Sequence, residues 1–235
     1  MSPVGERMGY FTVVPSVPPG DAAANALVHA GDWVSLKNYN RCSVVMRVGT
    51  AVTTRTLRLQ QATNVAGAGA AALNFTHVWR TGFRLYFDPT TRNATDFVVG
   101  EAVTGAGAGA GVIHSIHGDH LVCHTHNGTV FVASELITGA AGATANLLAA
   151  NFYVDEDILV RQTVAAGNTF VAPAVSDKTY VIEFNAADLN VTAGFDCLLA
   201  DISAVGAADD TARSVEYIMS GARYKEEPMK TAIRD

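Results

Sequence analysis

Apolar and polar residues alternate along most of this chain. Arg55-Thr-Leu-Arg-Leu-Gln-Gln61 sets Leu57 and Leu59 against Thr56, Arg58 and Gln60. A period of two puts successive side chains on opposite faces, so the segment predicts a strand with one face buried and the other wet or in an interface. The same pattern recurs at 33–36, 42–48, 73–80, 83–87, 151–154, 158–164, 169–172, 179–184, 196–202 and 214–220, with turn residues between the runs. Short strands at such regular spacing predict an all-β protein, an antiparallel β-sandwich of jelly-roll-like kind, rather than an α/β arrangement. In the run from Leu73, alternation puts Leu73, Phe75, His77 and Trp79 on one face, with His77 a packed or hydrogen-bonded histidine.

One stretch is written twice. Phe97-Val-Val-Gly-Glu-Ala-Val-Thr-Gly105 returns 34 residues later as Phe131-Val-Ala-Ser-Glu-Leu-Ile-Thr-Gly139, and each copy runs on into alanine and glycine. Such repetition predicts a duplicated strand-and-turn unit. Between the copies, two alternating runs flank Gly118-Asp119, the composition of a tight β-hairpin. The domain organisation that follows has three parts: an N-terminal arm over 1–30, a discontinuous sandwich over 31–87 and 149–235, and an inserted repeat module over 88–148.

Val14-Pro-Ser-Val-Pro-Pro-Gly20 has fixed torsions and few amide donors, which reads as an extended arm rather than a strand inside a sheet. Residues 21–29 have the composition of a short helical turn with Asp21 as N-cap. The tail 225–230 is polar and is expected on the surface.

Composition narrows the function classes. Of 235 residues, 49% are hydrophobic and 16% charged, and 38 are alanine, so small neutral side chains must cover much of the surface. Average globular proteins carry about 25% charge. A surface of this kind suits packing against other protein. The net charge of −6 is spread out, and no Lys/Arg run is present to neutralise a row of phosphates, which argues against direct nucleic-acid binding. No segment reaches the roughly 20 apolar residues of a membrane-spanning helix. Nor does the N-terminus carry a basic-then-apolar secretory signal, so the expectation is a protein made in cytoplasm, with no membrane partner.

Several residue groups invite chemistry. Five of the seven histidines, His114, His117, His120, His124 and His126, crowd one hairpin. If Gly118-Asp119 is a two-residue turn, His117 faces His120, Ile116 faces Leu121 and His114 faces Cys123. His117, His120, His124 and His126 then share an exposed face, and His114 lies on the other. His120 and His124 would stand about 13 Å apart along the strand, too far for one ion, so a complete site would need donors from a neighbouring subunit. The expectation is no metal site. Glu101 and Glu135 pair as carboxylates, but repetition accounts for them without a glycosidase mechanism. Residues 105–111 lack the Lys and Ser/Thr of a phosphate loop. Cys42, Cys123 and Cys197 sit in apolar runs and read as buried thiols. Four Asn-x-Ser/Thr triplets, at Asn74, Asn93, Asn127 and Asn190, read as chance matches. No catalytic or cofactor-binding residue emerges, and the chain reads as no enzyme.

Gly31-Asp-Trp-Val-Ser-Leu-Lys-Asn-Tyr-Asn40, Leu57-Arg-Leu-Gln-Gln-Ala-Thr63, Ala72-Leu-Asn-Phe75, Tyr180-Val-Ile-Glu, Ala187-Asp-Leu-Asn-Val191, Gly194-Phe-Asp-Cys197 and Tyr217-Ile-Met-Ser-Gly-Ala-Arg-Tyr224 together frame most of the chain outside the repeat. In these stretches the chain resembles a family of small structural proteins of tailed bacteriophages. The Gly-Glu-x-Val-Thr-Gly style of the repeat resembles motifs of phage virion proteins. The resemblance implies a non-enzymatic virion component, a decoration or cement protein that binds the major capsid protein on the head surface. The oligomer expected is a homotrimer, using the N-terminal arm. A receptor- or carbohydrate-binding module is the competing expectation, with Trp79, Tyr86, Phe87 and Tyr153 as exposed aromatic contacts.

Overall fold

The computed structural model describes residues 11–20, 31–48, 54–172, 178–204 and 213–222. The expected helical turn at 21–29, the first ten residues of the arm and the polar tail lie outside them. Among the described residues the strands in chain order are β1 Phe11–Gly20, β2 Val34–Ser35, β3 Tyr39–Val48, β4 Arg55–Ala62, β5 Ala71–Ala72, β6 Phe75–Tyr86, β7 Ala102–Gly105, β8 Ala110–Ile116, β9 His120–His124, β10 Leu136–Gly139, β11 Thr144–Asn146, β12 Tyr153–Gly167, β13 Thr169–Ala172, β14 Lys178–Asn185, β15 Cys197–Ala204 and β16 Arg213–Ala222. Helical structure among the described residues is limited to short 3-10 turns at Pro89–Thr91, Ala186–Asp188 and Val191–Ala193. The protein is a β-sandwich of large antiparallel sheets.

The chain divides into two compact units. The first comprises Met1–Val78, Thr163–Ala172 and Ser176–Asp235. One of its sheets runs β1-β16-β3-β14 and the other β13-β4-β15-β2, with β5 on β4. Alternation does what the sequence pattern requires. Cys42, Val44 and Met46 of β3, Tyr180, Ile182 and Phe184 of β14, and Val215, Tyr217 and Met219 of β16 meet Leu57, Leu59, Leu198, Ala200 and Ile202 of the facing sheet in one core. Leu57 and Leu59 are fully buried, a burial that stabilises by about 1.5–3 kcal/mol per side chain. On the opposite face of β4, Arg58 stands across from Asp201 of β15 and donates to its carboxylate through Nε at 3.1 Å and NH2 at 2.5 Å.

The N-terminal segment corrects the reading of an arm. Phe11–Gly20 is a strand paired antiparallel with β16 from Phe11↔Ser220 onward. Val14 and Ser16 are buried against the unit. Three prolines are tolerated because β1 is the terminal strand of its sheet and its register shifts between Pro15 and Val17 and again before Gly20, where ladder bonds are already interrupted.

The second unit comprises Trp79–Gln162 and Pro173–Val175. It is wider than the expected 88–148 module. Phe83, Leu85 and Phe87, assigned by sequence to the sandwich, pack in its core with Phe97, Val103, Ile113, Phe131, Ile137 and Leu147. Its strands run β6-β9-β8-β7-β10-β11, with β12 also on β6. Two expected breaks are absent: 73–80 and 83–87 merge into β6, and 151–154 and 158–164 merge into β12. Gly82, between the first two of these runs, marks a close approach, since a Cβ there would lie 2.6 Å from Val160 Cγ2. The expected facing of β6 also shifts: Phe75 is buried, then Val78 and Arg80, while His77 and Trp79 are half-buried. His77 Nδ1 is 2.9 Å from Thr76 Oγ1, a local hydrogen bond on a solvent-accessible face.

Candidate functional site

The duplicated stretch folds into two halves that clasp each other. Strands β7 and β10 pair antiparallel with Thr104 opposite Thr138, residues that are themselves 34 apart, so a local twofold axis passes between them. The glutamates serve this symmetry. Glu101 Oε1 accepts from Val98 N at 2.8 Å, closing its own turn, and Oε2 accepts from Ala141 N at 2.7 Å in the turn of the other copy. Glu135 repeats both contacts, from Val132 N at 2.7 Å and Gly107 N at 2.6 Å. Each carboxylate thus bridges the two copies, and charge-assisted bonds of this kind are about twice as strong as neutral ones. Two glycines make the approach possible: a Cβ on Gly105 would lie 2.3 Å from Glu135 Oε1, and one on Gly139 2.4 Å from Glu101 Oε1.

The symmetry extends further back than the Phe-x-x-x-Glu pattern. Asn93 accepts from Thr144 N at 3.0 Å and donates to Gly142 O at 2.9 Å; Asn127, 34 residues on, accepts from Ala110 N at 3.1 Å and donates to Ala108 O at 2.8 Å. Asn93 and Asn127, which begin two of the four Asn-x-Ser/Thr triplets, are therefore the opening residues of the repeat. Aligning the copies back by four residues from Phe97 and Phe131 would have found them. At two equivalent positions a glycine in one copy replaces a side chain in the other: Gly100 with Ser134 and Gly142 with Ala108, all at positive φ. Ser134 and Ala108 hold left-handed backbone at a cost of about 1–2 kcal/mol each, which the clasp sustains.

The histidines divide by burial. The expected two-residue turn forms, with His117 N donating to His120 O at 2.9 Å, and Ile116 pairs with Leu121. Further from the turn the register differs from expectation: Ile113 rather than His114 faces Cys123, because a bulge between Ile113 and Ser115 makes His114 the extra residue. His117 and His120 stack in parallel with centroids 4.3 Å apart at the exposed tip, and His120 Nδ1 is 2.7 Å from Asp119 Oδ1. The contact with His120 holds the Asp119 carboxyl below the usual carboxylate range. His124 and His126, expected to be exposed with them, are each 8% accessible. His126 packs edge-on against Phe83 at 5.2 Å and its Nδ1 accepts from Gly128 N at 3.0 Å. His124 lies against Thr125 Oγ1 at 2.6 Å and 6.4 Å from the ring of His114. Burial, and then the charges of Arg80 and His114, push its pKa down to about 4. Arg80, which sequence reasoning passed over, is buried and donates to Thr125 Oγ1 at 2.9 Å and Gln162 Oε1 at 3.0 Å.

A pH dependence follows, with a definite sign. Because His124 binds its proton less well folded than unfolded, its contribution is present above the ordinary value of 6.5 and is lost as pH falls toward about 4. Discounting for partial solvent screening, the loss across that window is about 1–2 kcal/mol. Urea midpoints at the two ends of the window measure it, and His124→Gln should flatten the difference. At neutral pH, glutamine at His117 or His120 is expected to change stability by no more than about 0.5 kcal/mol, and at His124 or His126 to cost about 1–2 kcal/mol through lost packing.

The remaining candidates are spent on structure. All three thiols are buried and free; burial pushes Cys42 up to about 12 and raises Cys123 further, and burial with the hydrogen bond to Asp196 takes Cys197 to about 12. Thiols held protonated in this way are poor nucleophiles. Among the described residues no three His, Cys, Asp or Glu side chains converge as metal ligands. Phe87, expected as an exposed aromatic contact, is buried, and Trp79, Tyr86 and Tyr153 are half-buried. A polar cleft of about 340 Å³ lies over β3, lined by Arg41, Ser43, Glu183, Asn185 and Ser220. No family model, curated protein or solved structure matches the chain.

Proposed function

We propose that this chain is a non-enzymatic virion structural protein of the decoration or cement type, which binds the major capsid protein on the head surface as a homotrimer. The observation that carries the reading is where the polar side chains go. Glu101, Glu135, Asn93, Asn127 and Asp201 spend their hydrogen-bonding capacity inside the fold. What faces outward includes uncharged apolar side chains: Val98, Val99, Val130, Val132 and Leu136 are each 45–66% exposed. Such surface suits a protein partner better than a substrate. The phage resemblance supplies the identity of that partner. Co-sedimentation of the purified protein with undecorated phage heads tests the proposal: saturable binding at a fixed ratio to the shell protein supports it, and recovery only with tails, or not at all, overturns it.

A carbohydrate-binding reading has one observation in its favour, the cleft that Arg41, Ser43, Glu183, Asn185 and Ser220 line together with Cys42 and Phe184. Hydroxyl-rich ligands need such mixed donors and acceptors. Glycan-array binding that Arg41→Ala and Glu183→Ala both abolish would favour it over the capsid.

A further inference from the structure

The two copies of the repeat differ at one place that bears on chemistry. Asn93 is followed by Ala94, whereas Asn127 is followed by Gly128, which has no Cβ to obstruct approach to its own nitrogen. We propose that Asn127 is a conditional deamidation site, shut in the folded repeat and reactive when the repeat opens.

The reaction is internal. Gly128 N, losing its proton to solvent base, attacks Asn127 Cγ; the N–Cγ bond forms, the Cγ–Nδ2 bond breaks, and Nδ2 leaves as ammonia carrying a proton. A five-membered imide remains. Water then adds to one of its two carbonyls and breaks that C–N bond, leaving aspartate or isoaspartate at 127 with no change of oxidation state.

Folded, both reacting groups are tied. The carboxamide oxygen accepts from Ala110 N and Thr129 N, each at 3.1 Å, and the amide nitrogen donates to Ala108 O at 2.8 Å. The nucleophile is held as well, its N–H donated to His126 Nδ1 at 3.0 Å. Cγ cannot swing over Gly128 N until these bonds break together, so the reaction samples only the open population. Asn127 is exposed, so water reaches the imide without further rearrangement. The product then resists closure. A carboxylate has no proton to donate to Ala108 O and sets a negative charge beside that carbonyl, and isoaspartate also lengthens the backbone by one methylene. Opening of the repeat is thereby recorded irreversibly.

Peptide mapping by mass spectrometry, on the full chain held in mildly alkaline buffer with and without denaturant, tests this. In denaturant Asn127 should convert well ahead of Asn93; in native buffer Asn127 should convert at least about tenfold more slowly than in denaturant. Glu135→Gln, which loosens the Gly107 turn beside Ala108, should raise the native rate at Asn127 and leave the denatured rate unchanged. Equal rates at Asn127 with and without denaturant, or Asn93 converting as fast as Asn127 when unfolded, would overturn the proposal. Converted protein returned to native buffer should unfold at lower denaturant than unconverted protein; an unchanged midpoint would overturn the claim that the clasp cannot re-form.

Discussion

Alanine at Glu101 or Glu135 is expected to cost about 2–3 kcal/mol, a large effect for residues that are only half-buried. Each carboxylate accepts two backbone N–H bonds, one within its copy and one across the local twofold axis, at 2.6–2.8 Å. Removing one leaves two amides to solvent and takes away the tie that holds the partner turn in its positive-φ form. Equivalent substitutions should cost equivalent amounts, because the partners of Glu101 and Glu135 correspond residue for residue. The double variant should fall short of the sum, since the first loss already loosens the turn that the second would release. Glutamine keeps one acceptor oxygen and should lose roughly half as much. Urea unfolding measures all of this, and amide exchange at Gly107 and Ala141 localises it. A double variant whose stability equals the wild type would show the clasp to be ornamental. Gly105→Ala and Gly139→Ala should mimic the glutamate losses, because the added methyl occupies the space of the carboxylate oxygen.

Tyr217→Phe is expected to cost about 2–4 kcal/mol, through a single oxygen atom. The Tyr217 hydroxyl accepts from Ala200 N at 2.6 Å and donates to Asp32 O at 3.0 Å. The Ser16 hydroxyl lies 2.9 Å from both that oxygen and Ala200 O. Strands β1, β15 and β16 and the segment before β2 therefore meet at one buried point, where burial raises the phenol above its ordinary pKa. Phenylalanine preserves the packing but strands a buried amide, which costs more than the bond itself contributed. Gly31→Ala should be as damaging, because a Cβ there would lie 2.0 Å from Ala200 O. Truncation of residues 1–20 should also destabilise the first unit, since it removes a paired strand together with Val14 and Ser16. Thermal melts of the three variants check the node; a Tyr217→Phe melt within about 0.5 kcal/mol of wild type, the usual surface range, would remove it.

The strand set was legible because burial on one face of a sheet imposes a period of two, and the expected runs from 42–48 to 214–220 correspond to strands of the structure. The duplication was legible because the clasp requires the same residue types at matching positions. What sequence missed has a consistent cause. Local propensity separates the runs 73–80 and 83–87 and sets the prolines of β1 in an arm, but Gly82 between those runs admits Val160, and edge pairing to β16 accommodates the prolines. His124 and His126 alternate with His120, yet distant contacts bury them: Phe83 against His126, and Arg80 and His114 beside His124. Asn93 and Asn127 carried a motif-level meaning that hid their repeat-level one.

By itself the sequence determined the β architecture, the 34-residue repeat, the turn at Gly118-Asp119 and the buried state of the thiols, because all of these follow from local patterning of apolar and turn residues. The tertiary structure alone decided which side chains share a hydrogen bond across 28 or 40 residues, as Glu135 with Gly107 and Glu101 with Ala141 do. It alone decided that a single bulge at His114 would shift the hairpin register, and that a segment rich in proline would close the edge of a sheet. Those outcomes depend on the free energy of groups brought together from far along the chain, and no local period encodes it.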